Sequence, residues 1–486
     1  MTDALQAVNL LEAGQLVESL GYFRSLIESN RDDPRRVSNW LLARQYDHEL
    51  GADDVAQELW AMGALWKQSE KPAAMQARSP QGEGLVCPSE RFHKRPLRIG
   101  FVSADFHCHT VGRMLHPLVC ALGALNPCER PIVYAYHNGS RYDELTESLT
   151  RWLTLRSIHG LQLEQAAALV RDDLLDVLID LSGHTKGHRH ALFAHRLVPV
   201  QISWLGFTDT TGLNFIDSVL SDVHHVPQSL AYRFRESLIY LPQARFVFES
   251  PDRCPGLVSA IAHGEFGASS QRTVGIAERT EEQLYCTDET SVRFCCFNNL
   301  AKISAQTLSM WSKLLAVLPK AQLALRWRSF SDPSVRMLWE ARLSDFGIDP
   351  CRVRLLNECS YEDFMRSYEG MDIALDTYPF NGAMTSFDAM WMGVPIVSRF
   401  GDLPASRQGL CLLSVLGLER FACDSDEAYV DAASELARNL TLRSDLRRTL
   451  RQRLACSPLM DATLFAEHWM AAIRQAIDQR LEVSLR

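Results

Sequence analysis

The chain lacks most of the short signatures that announce a chemistry. It has no Gly-x-Gly-x-x-Gly, no Walker loop and no His-Glu-x-x-His. The obvious dinucleotide enzymes and zinc proteases are therefore disfavoured. A basic excess is missing too: 50 Lys and Arg against 59 Asp and Glu leave a formal net charge of −9. A nucleic-acid protein would show a dominant basic face, so no such partner is expected. No apolar run approaches the ~18 residues of a membrane span, and the N-terminal stretch MTDALQAVNLLEAG has no basic region of an export signal. Thirteen cysteines are scattered without Cys-x-x-Cys spacing. Their odd number and the missing export signal predict reduced thiols in a cytoplasmic, bacterial-type protein without membrane insertion.

What is present is a regular alternation. At 486 residues, 47% of them hydrophobic, the chain exceeds one ordinary core, and two large domains plus an appendage are expected. Residues 1–75 read as helices: LLEAGQLVESLGYFRSLIES and ADDVAQELWAMGALWKQ carry apolar residues at three- and four-residue spacing. Between them VSNWLLARQYDHELG makes a third helix, ended by Gly51. The region resembles one or two degenerate tetratricopeptide repeats, or equally a simple helical cap. Residues 76–95, rich in Pro, Gly, Ser and charge, make a linker.

From 96 to 245, the apolar strands PLRIGFVSADF, PIVYAYH, DVLIDLSGH, VPVQISWLGF, SVLSDVHH and SLIYLP alternate with helical patterns. That pattern predicts a parallel, doubly wound sheet. Residues 246–290 lack a clear period and read as an irregular inter-domain segment. A second alternation over 291–425 holds RFCCFNN, QLALRWR, RVRLLN, DIALDTYP and VPIVSRF, and 426–486 is helical in pattern. The fold class is α/β, with two Rossmann-like domains and a cleft between them. Ligands in such chains sit in the cleft, at the carboxyl ends of the strands.

Four loops at strand ends gather polar, small or charged residues. SADFHCHTVGR holds Asp105, His107, His109 and Arg113; SGHTKGHRH holds His184 and Thr185, followed by WLGFTDTTG with Gly206 and Thr211. FNNLAKIS holds Asn298, Asn299 and Lys302, and DTYPFNGAMTSFD holds Asn381, Gly382, Thr385 and Asp388. In the last stretch Asp372–Asp376 alternates into a buried strand and Pro379, Asn381 and Gly382 make a turn. Met384–Met392 has a helical composition, with Thr385 and Ser386 as N-cap residues and Asp388 suited to the first turn. A strand, a tight turn and an open helix N-terminus make an anion site, most often for phosphate. The plain alternative is an ordinary strand-to-helix connection. A lone loop His is more often a structural residue, and a lone Lys is normally solvated. Four such loops on two tandem sheets outweigh that reading. His184, His188, His190 and His195, with the His-x-His pair His107 and His109, raise a metal site, but carboxylate and cysteine partners at ligand spacing are missing, so no metal is expected.

At these loops the sequence resembles the O-GlcNAc transferase family of GT-B glycosyltransferases, in its bacterial, short-repeat form. RIGFVSADFHCHTVGR, IDLSGHTKGHR, VPVQISWLGF with TTG, CFNNLAKIS, DIALDTYPFNG with FDAMWMGVPIV, Ala405–Arg407 and Ser457–Asp461 carry the resemblance, in order from about Pro96 to Arg474. It implies an inverting, metal-independent transfer of a sugar, GlcNAc first and glucose second, from a UDP-sugar to protein side chains, usually Ser or Thr hydroxyls. No cofactor is implied; the partners are the UDP-sugar and an acceptor protein. His109 matches the family's active-site histidine, Lys302 the diphosphate lysine, and Thr385 a threonine at the phosphate-binding helix start. Asp388 matches the aspartate on the ribose, and Phe364 a ring beside the uracil. Asn299, Asn381 and Gly382 join them as UDP-sugar-binding candidates. Asp105, His184, Thr185, Gly206 and Thr211 are cleft-lining candidates.

Two places depart from the family pattern. Gly382, Ala383, Met384 and Thr385 stand where animal members read Gly-His-Thr-Thr, so the Met384 thioether replaces a hydroxyl donor near the phosphates. Thr208 and Asp209 stand where Pro-Gly is usual, and place a negative charge near the cleft. A catalytically weak or inactive nucleotide-sugar-binding scaffold is therefore the alternative to an active enzyme. A GT-B enzyme acting on a small glycan or lipid ranks last.

Overall fold

The computed structural model describes residues 3–29, 34–64, 66, 95–251 and 291–485. The expected linker, apart from its last residue, and the irregular segment beyond 251 lie outside the described residues.

The described strands form two all-parallel sheets. The first contains β1 (Arg98–Ser103), β2 (Ile132–His137), β3 (Thr154–Ser157), β4 (Val177–Asp180), β5 (Val200–Ser203), β6 (Ser218–Ser221) and β7 (Ser237–Tyr240). Its order is β3-β2-β1-β4-β5-β6-β7. The second contains β8 (Arg293–Cys296), β9 (Gln322–Arg326), β10 (Val353–Leu356), β11 (Ile373–Leu375), β12 (Ile396–Arg399) and β13 (Ala422–Cys423), in the order β10-β9-β8-β11-β12-β13. Central strands such as Val177–Asp180 are buried at every position, as a parallel sheet covered on both faces requires. Register is plain at Phe101, which lies opposite Ala135 on one side and Ile179 on the other. Every strand expected from the sequence is present. The two additions, β3 and β13, are edge strands.

The N-terminal helices are α1 (Asp3–Glu12), α2 (Leu16–Ser29), α3 (Pro34–Arg44) and α4 (Ala52–Gly63). Two boundaries differ from expectation. The stretch from Leu10 is broken at Gly14, whose φ of +80° is a left-handed conformation that ends α1. The third helix stops at Arg44, and Gly51 instead serves as N-cap of α4. The four helices share a small apolar core that recruits Phe207 from the first domain and Leu403 from the second. Polar ties reinforce it: Trp339 Nε1 donates to Ala13 O (2.9 Å), and Arg233 reaches both Asp53 Oδ1 (2.5 Å) and Asp402 O (3.0 Å).

Where α4 meets the loop after β5, two backbones touch with no side chain between. A Cβ on Gly212 would lie 2.0 Å from Leu59 O, and one on Gly63 would lie 1.9 Å from Gly212 O. Gly212→Val is expected to lift α4 off the domain and cost about 3 kcal/mol. Limited proteolysis and a lowered thermal midpoint would report it; a wild-type digest would refute it.

The trailing helices divide between the halves. Asp426–Arg438 packs on the second sheet, and Leu440–Ala455 on the helix Met384–Trp391. The last helix, Ala462–Leu485, returns to the first domain, where the Trp469 ring lies 5.8 Å from both Phe101 and Trp204. Among the described residues no helix is long and apolar enough to cross a membrane.

Candidate active site

In both sheets the strand order reverses beside the first strand, between β1 and β4 and between β8 and β11. Loops leaving the carboxyl ends of these strands part to opposite faces and leave a crevice. They are the loops singled out in the sequence.

In the second domain one carboxylate shapes the site. Asp376, just after β11 and buried, accepts hydrogen bonds from Gly382 N (2.7 Å), Thr377 N (2.9 Å), Ser398 Oγ (2.7 Å) and Asn298 Nδ2 (3.3 Å). Burial raises its pKa, and those donors oppose the rise. The turn it folds carries the contacts of Lys302. The Lys302 Nζ donates to Asn381 O (2.9 Å) and lies 4.4 Å from the centre of the Phe380 ring. Burial pushes the ammonium down to about 8, with nearby Asp376 opposing. Asn381 is fully buried and its amide is committed to Thr377 O, Arg399 O and Gly409 N, so it holds the turn rather than facing the cleft. Asn299 caps the short turn before Lys302, accepting from Ala301 N (3.0 Å).

The helix Met384–Trp391 begins two residues earlier than the first of the expected caps, Thr385, would allow. Its N-cap is Ala383, which makes no side-chain cap bond, so its first N–H groups have no side-chain acceptor there. Thr385 falls inside the first turn because its hydroxyl bonds Asn298 Oδ1 instead. Met384 turns into the core and is 7% exposed, so its thioether does not stand in for a cleft donor. A Cβ on Gly382 would lie 2.5 Å from Thr385 Oγ1 and 2.8 Å from both Asn298 Oδ1 and Ser386 Oγ. Gly382→Ala is therefore expected to splay these oxygens and to weaken about tenfold the UDP binding that the motif resemblance implies, with the fold intact. Calorimetry with UDP checks it, and wild-type affinity would refute it.

Across the cleft, His109 caps the helix Thr110–Ala124, its Nδ1 accepting from Val111 N (3.3 Å). Its side chain is 46% exposed, and Nδ1 lies 3.7 Å from Asp105 Oδ2. One turn on, Arg113 spans to the second domain. It pairs with Asp388 (3.3 and 3.4 Å), donates to Tyr361 OH (2.6 Å) and lies 4.5 Å from the centre of that ring. Tyr361 OH also donates to Asp388 Oδ1 (2.9 Å). Asp388 thus sits in the second helical turn, where Arg113 rather than the helix dipole answers its charge; burial raises its pKa against that pairing. Phe364, half-buried, packs against Tyr368 and Phe297 at ring distances of 5.4 and 5.8 Å.

Three expectations are corrected. His184 is buried against the N-terminal helices, with Nδ1 bonded to Ser38 Oγ (3.0 Å) and Nε2 to Thr211 O (2.8 Å). Thr211 is buried as well and bound to Glu236. Asp209 brings no charge to the cleft: it faces Gln45 of the helical unit, and burial pushes its carboxyl up to about 7. The N-terminal helices cover this loop, which the local pattern could not reveal. Thr185 binds back to Ser182 O (2.7 Å), and Gly206 permits a close approach to Leu181 O.

Among the described residues one group offers three metal-ligand atoms: Asp222, His225 and Cys411, all buried. Asp222 accepts from His225 Nδ1 (2.8 Å) and from three backbone N–H groups, and burial keeps the Cys411 thiol protonated. The group reads as a hydrogen-bond knot between the domains.

Tyr361, Asp376 and Phe380 were not selected from the sequence. Asp376 was visible as the polar end of an apolar strand; the two rings gave no signal apart from their neighbours.

Two facing parallel-sheet domains, with their switch-point loops opposed across one cleft, define a GT-B glycosyltransferase architecture. The chain belongs to glycosyl transferase family 41, whose profile matches residues 86–261 and 260–469. The resemblance read from the motifs is borne out. The chain is 31% identical over 400 residues to the probable UDP-N-acetylglucosamine–peptide N-acetylglucosaminyltransferase SPINDLY of Oryza sativa subsp. japonica, covering 78% of this chain and 39% of that protein. It is 24% identical over 481 residues to the UDP-N-acetylglucosamine–peptide N-acetylglucosaminyltransferase of Caenorhabditis elegans, covering 78% of this chain and 41% of that one. The chain thus spans about two fifths of the length of these curated relatives. A solved mutant of the Thermobaculum terrenum O-GlcNAc transferase superposes with a TM-score of 0.86 at 28% identity, over 99% of this chain and 85% of that one.

Proposed function

We propose that this protein moves a sugar from a UDP-sugar, UDP-GlcNAc foremost and UDP-glucose next, to Ser or Thr hydroxyls of proteins, with inversion at the anomeric carbon. The observation that carries this reading is the Lys302 ammonium bonded to Asn381 O in the turn that leads into the uncapped helix Met384–Trp391, with His109 capping the helix whose Arg113 crosses to Asp388. The names of the relatives supply the donor and acceptor classes.

The acceptor oxygen attacks the anomeric carbon on the face away from the diphosphate. The new C–O bond forms as the bond to the diphosphate breaks, and the electron pair leaves on UDP. Lys302 and the helix N–H groups meet that charge, so no Mg²⁺ is required. Because Nδ1 of His109 accepts from Val111 N, the neutral ring carries its proton on Nε2. His109 then acts as a hydrogen-bond donor that positions the reacting oxygen. The acceptor's proton passes late, to a diphosphate oxygen or to solvent. Asp388 exchanges part of its bonding with Arg113 and Tyr361 for the ribose hydroxyls, and the Phe364 ring borders the uracil.

Incubation of radiolabelled UDP-GlcNAc with lysate tests the reading. Wild type labels proteins, in EDTA as well, and Lys302→Ala does not. Equal labelling by both, or labelling by neither, overturns it.

A further inference from the structure

We infer that the N-terminal helices complete the active site: Tyr46 of the helical unit, acting through Phe380, is a positioning residue for Lys302. This rests on the reading of Lys302 as the lysine that meets the diphosphate.

Tyr46 lies in the turn that follows α3 and is 8% exposed. Its ring centre is 5.0 Å from that of Phe380, with 30° between the planes. Phe380 in turn lies 4.4 Å from Lys302 Nζ, and the next residue, Asn381, accepts the ammonium's hydrogen bond. Two consecutive residues of one turn therefore hold the charge. The backbone of that turn is tied by Thr377 Oγ1 donating to Phe380 O (2.7 Å). No polar bond can fix the ring itself. Packing against Tyr46 does so, and the position of Tyr46 follows from a helical unit docked on both domains through Phe207 and Leu403.

An aromatic face attracts an ammonium and also keeps water from it. The titratable groups near Lys302 are Asp376, after β11, and Cys296, at the end of β8. Tyr46 adds no charge, since burial pushes its hydroxyl up to about 12. Losing the ring stack admits water, relieves the burial that depresses the ammonium, and leaves Lys302 free to leave its place.

The test uses the full chain, following acceptor-independent release of UDP from UDP-GlcNAc against pH, with UDP affinity by calorimetry. Tyr46→Ala is expected to weaken UDP binding about fivefold and to move the alkaline limb of the profile upward, whereas Tyr46→Phe keeps both at wild type. Phe380→Leu, which leaves the helical unit docked, should move the limb in the same direction. A wild-type limb in Phe380→Leu, or a Tyr46→Ala profile and affinity equal to wild type, overturns the proposal while Lys302→Ala still abolishes activity. Wild-type UDP release by Lys302→Ala overturns the underlying reading instead.

Discussion

Replacing Lys302 by Ala should lower kcat for sugar transfer by about 10²–10³-fold, the usual loss when one preorganised donor to a developing anion is removed. The ammonium is held in the turn before the uncapped helix start, and in the proposed reaction a diphosphate carries more negative charge as it leaves than while bound. The loss should therefore fall mainly on kcat, with a smaller change in KM for the donor. The pH dependence has a fixed sign. Burial depresses Lys302 to about 8, so the charged, active form is complete below that pH and declines above it. Lys302→Arg removes this limb, because a guanidinium does not deprotonate in the range, although its fork fits the site of a point charge poorly. A wild-type profile that stays flat to pH 10 would refute the assignment.

Arg113→Ala should destabilise the protein by about 3 kcal/mol, the range found when one partner of a buried ion pair is removed. The Asp388 side chain is 3% exposed and that of Arg113 16%, so the stranded carboxylate has little access to water. The size of the loss must depend on pH. Burial already raises the pKa of Asp388, and without Arg113 it rises further. A raised carboxyl contributes stability below its unfolded pKa and loses it as pH rises through the folded value. The defect should thus be smallest in acid and grow as pH rises. Arg113→Ala combined with Asp388→Leu removes both charges and should recover most of the stability, though not activity. Denaturation midpoints at pH 5 and pH 8 decide it; a loss independent of pH would refute the pairing account.

The layout of the fold was largely legible because it is written in apolar runs. Eleven strands announced themselves by composition, whereas the edge strands β3 and β13 did not. Residues Thr154–Ser157 leave both ends exposed and β13 has only two residues, as edge strands can. The site was legible loop by loop but not contact by contact. Lys302 and His109 could be named from their motifs. That Asn381 faces inward depends on Arg399 and Gly409, 18 and 28 residues on, and that Thr385 answers Asn298 rather than capping its helix depends on a neighbour 87 residues away. His184 and Asp209 misled because the helices that bury them lie well upstream in the chain, with Ser38 146 residues before His184. Arg113 was noted in its loop, yet its partner Asp388 lies on the other domain.

The return of the last helix to the first domain has a consequence for biosynthesis. Trp469 fills the space beside Phe101 and Trp204, yet it is synthesised roughly 265 residues after Trp204. At about 5–20 residues per second, the early domain waits roughly tens of seconds on the ribosome with that apolar surface uncovered. Nascent chains of this protein should therefore be clients for holding chaperones until translation nears its end. A stop codon just before Ala462 should yield an aggregation-prone product even though both sheets are complete.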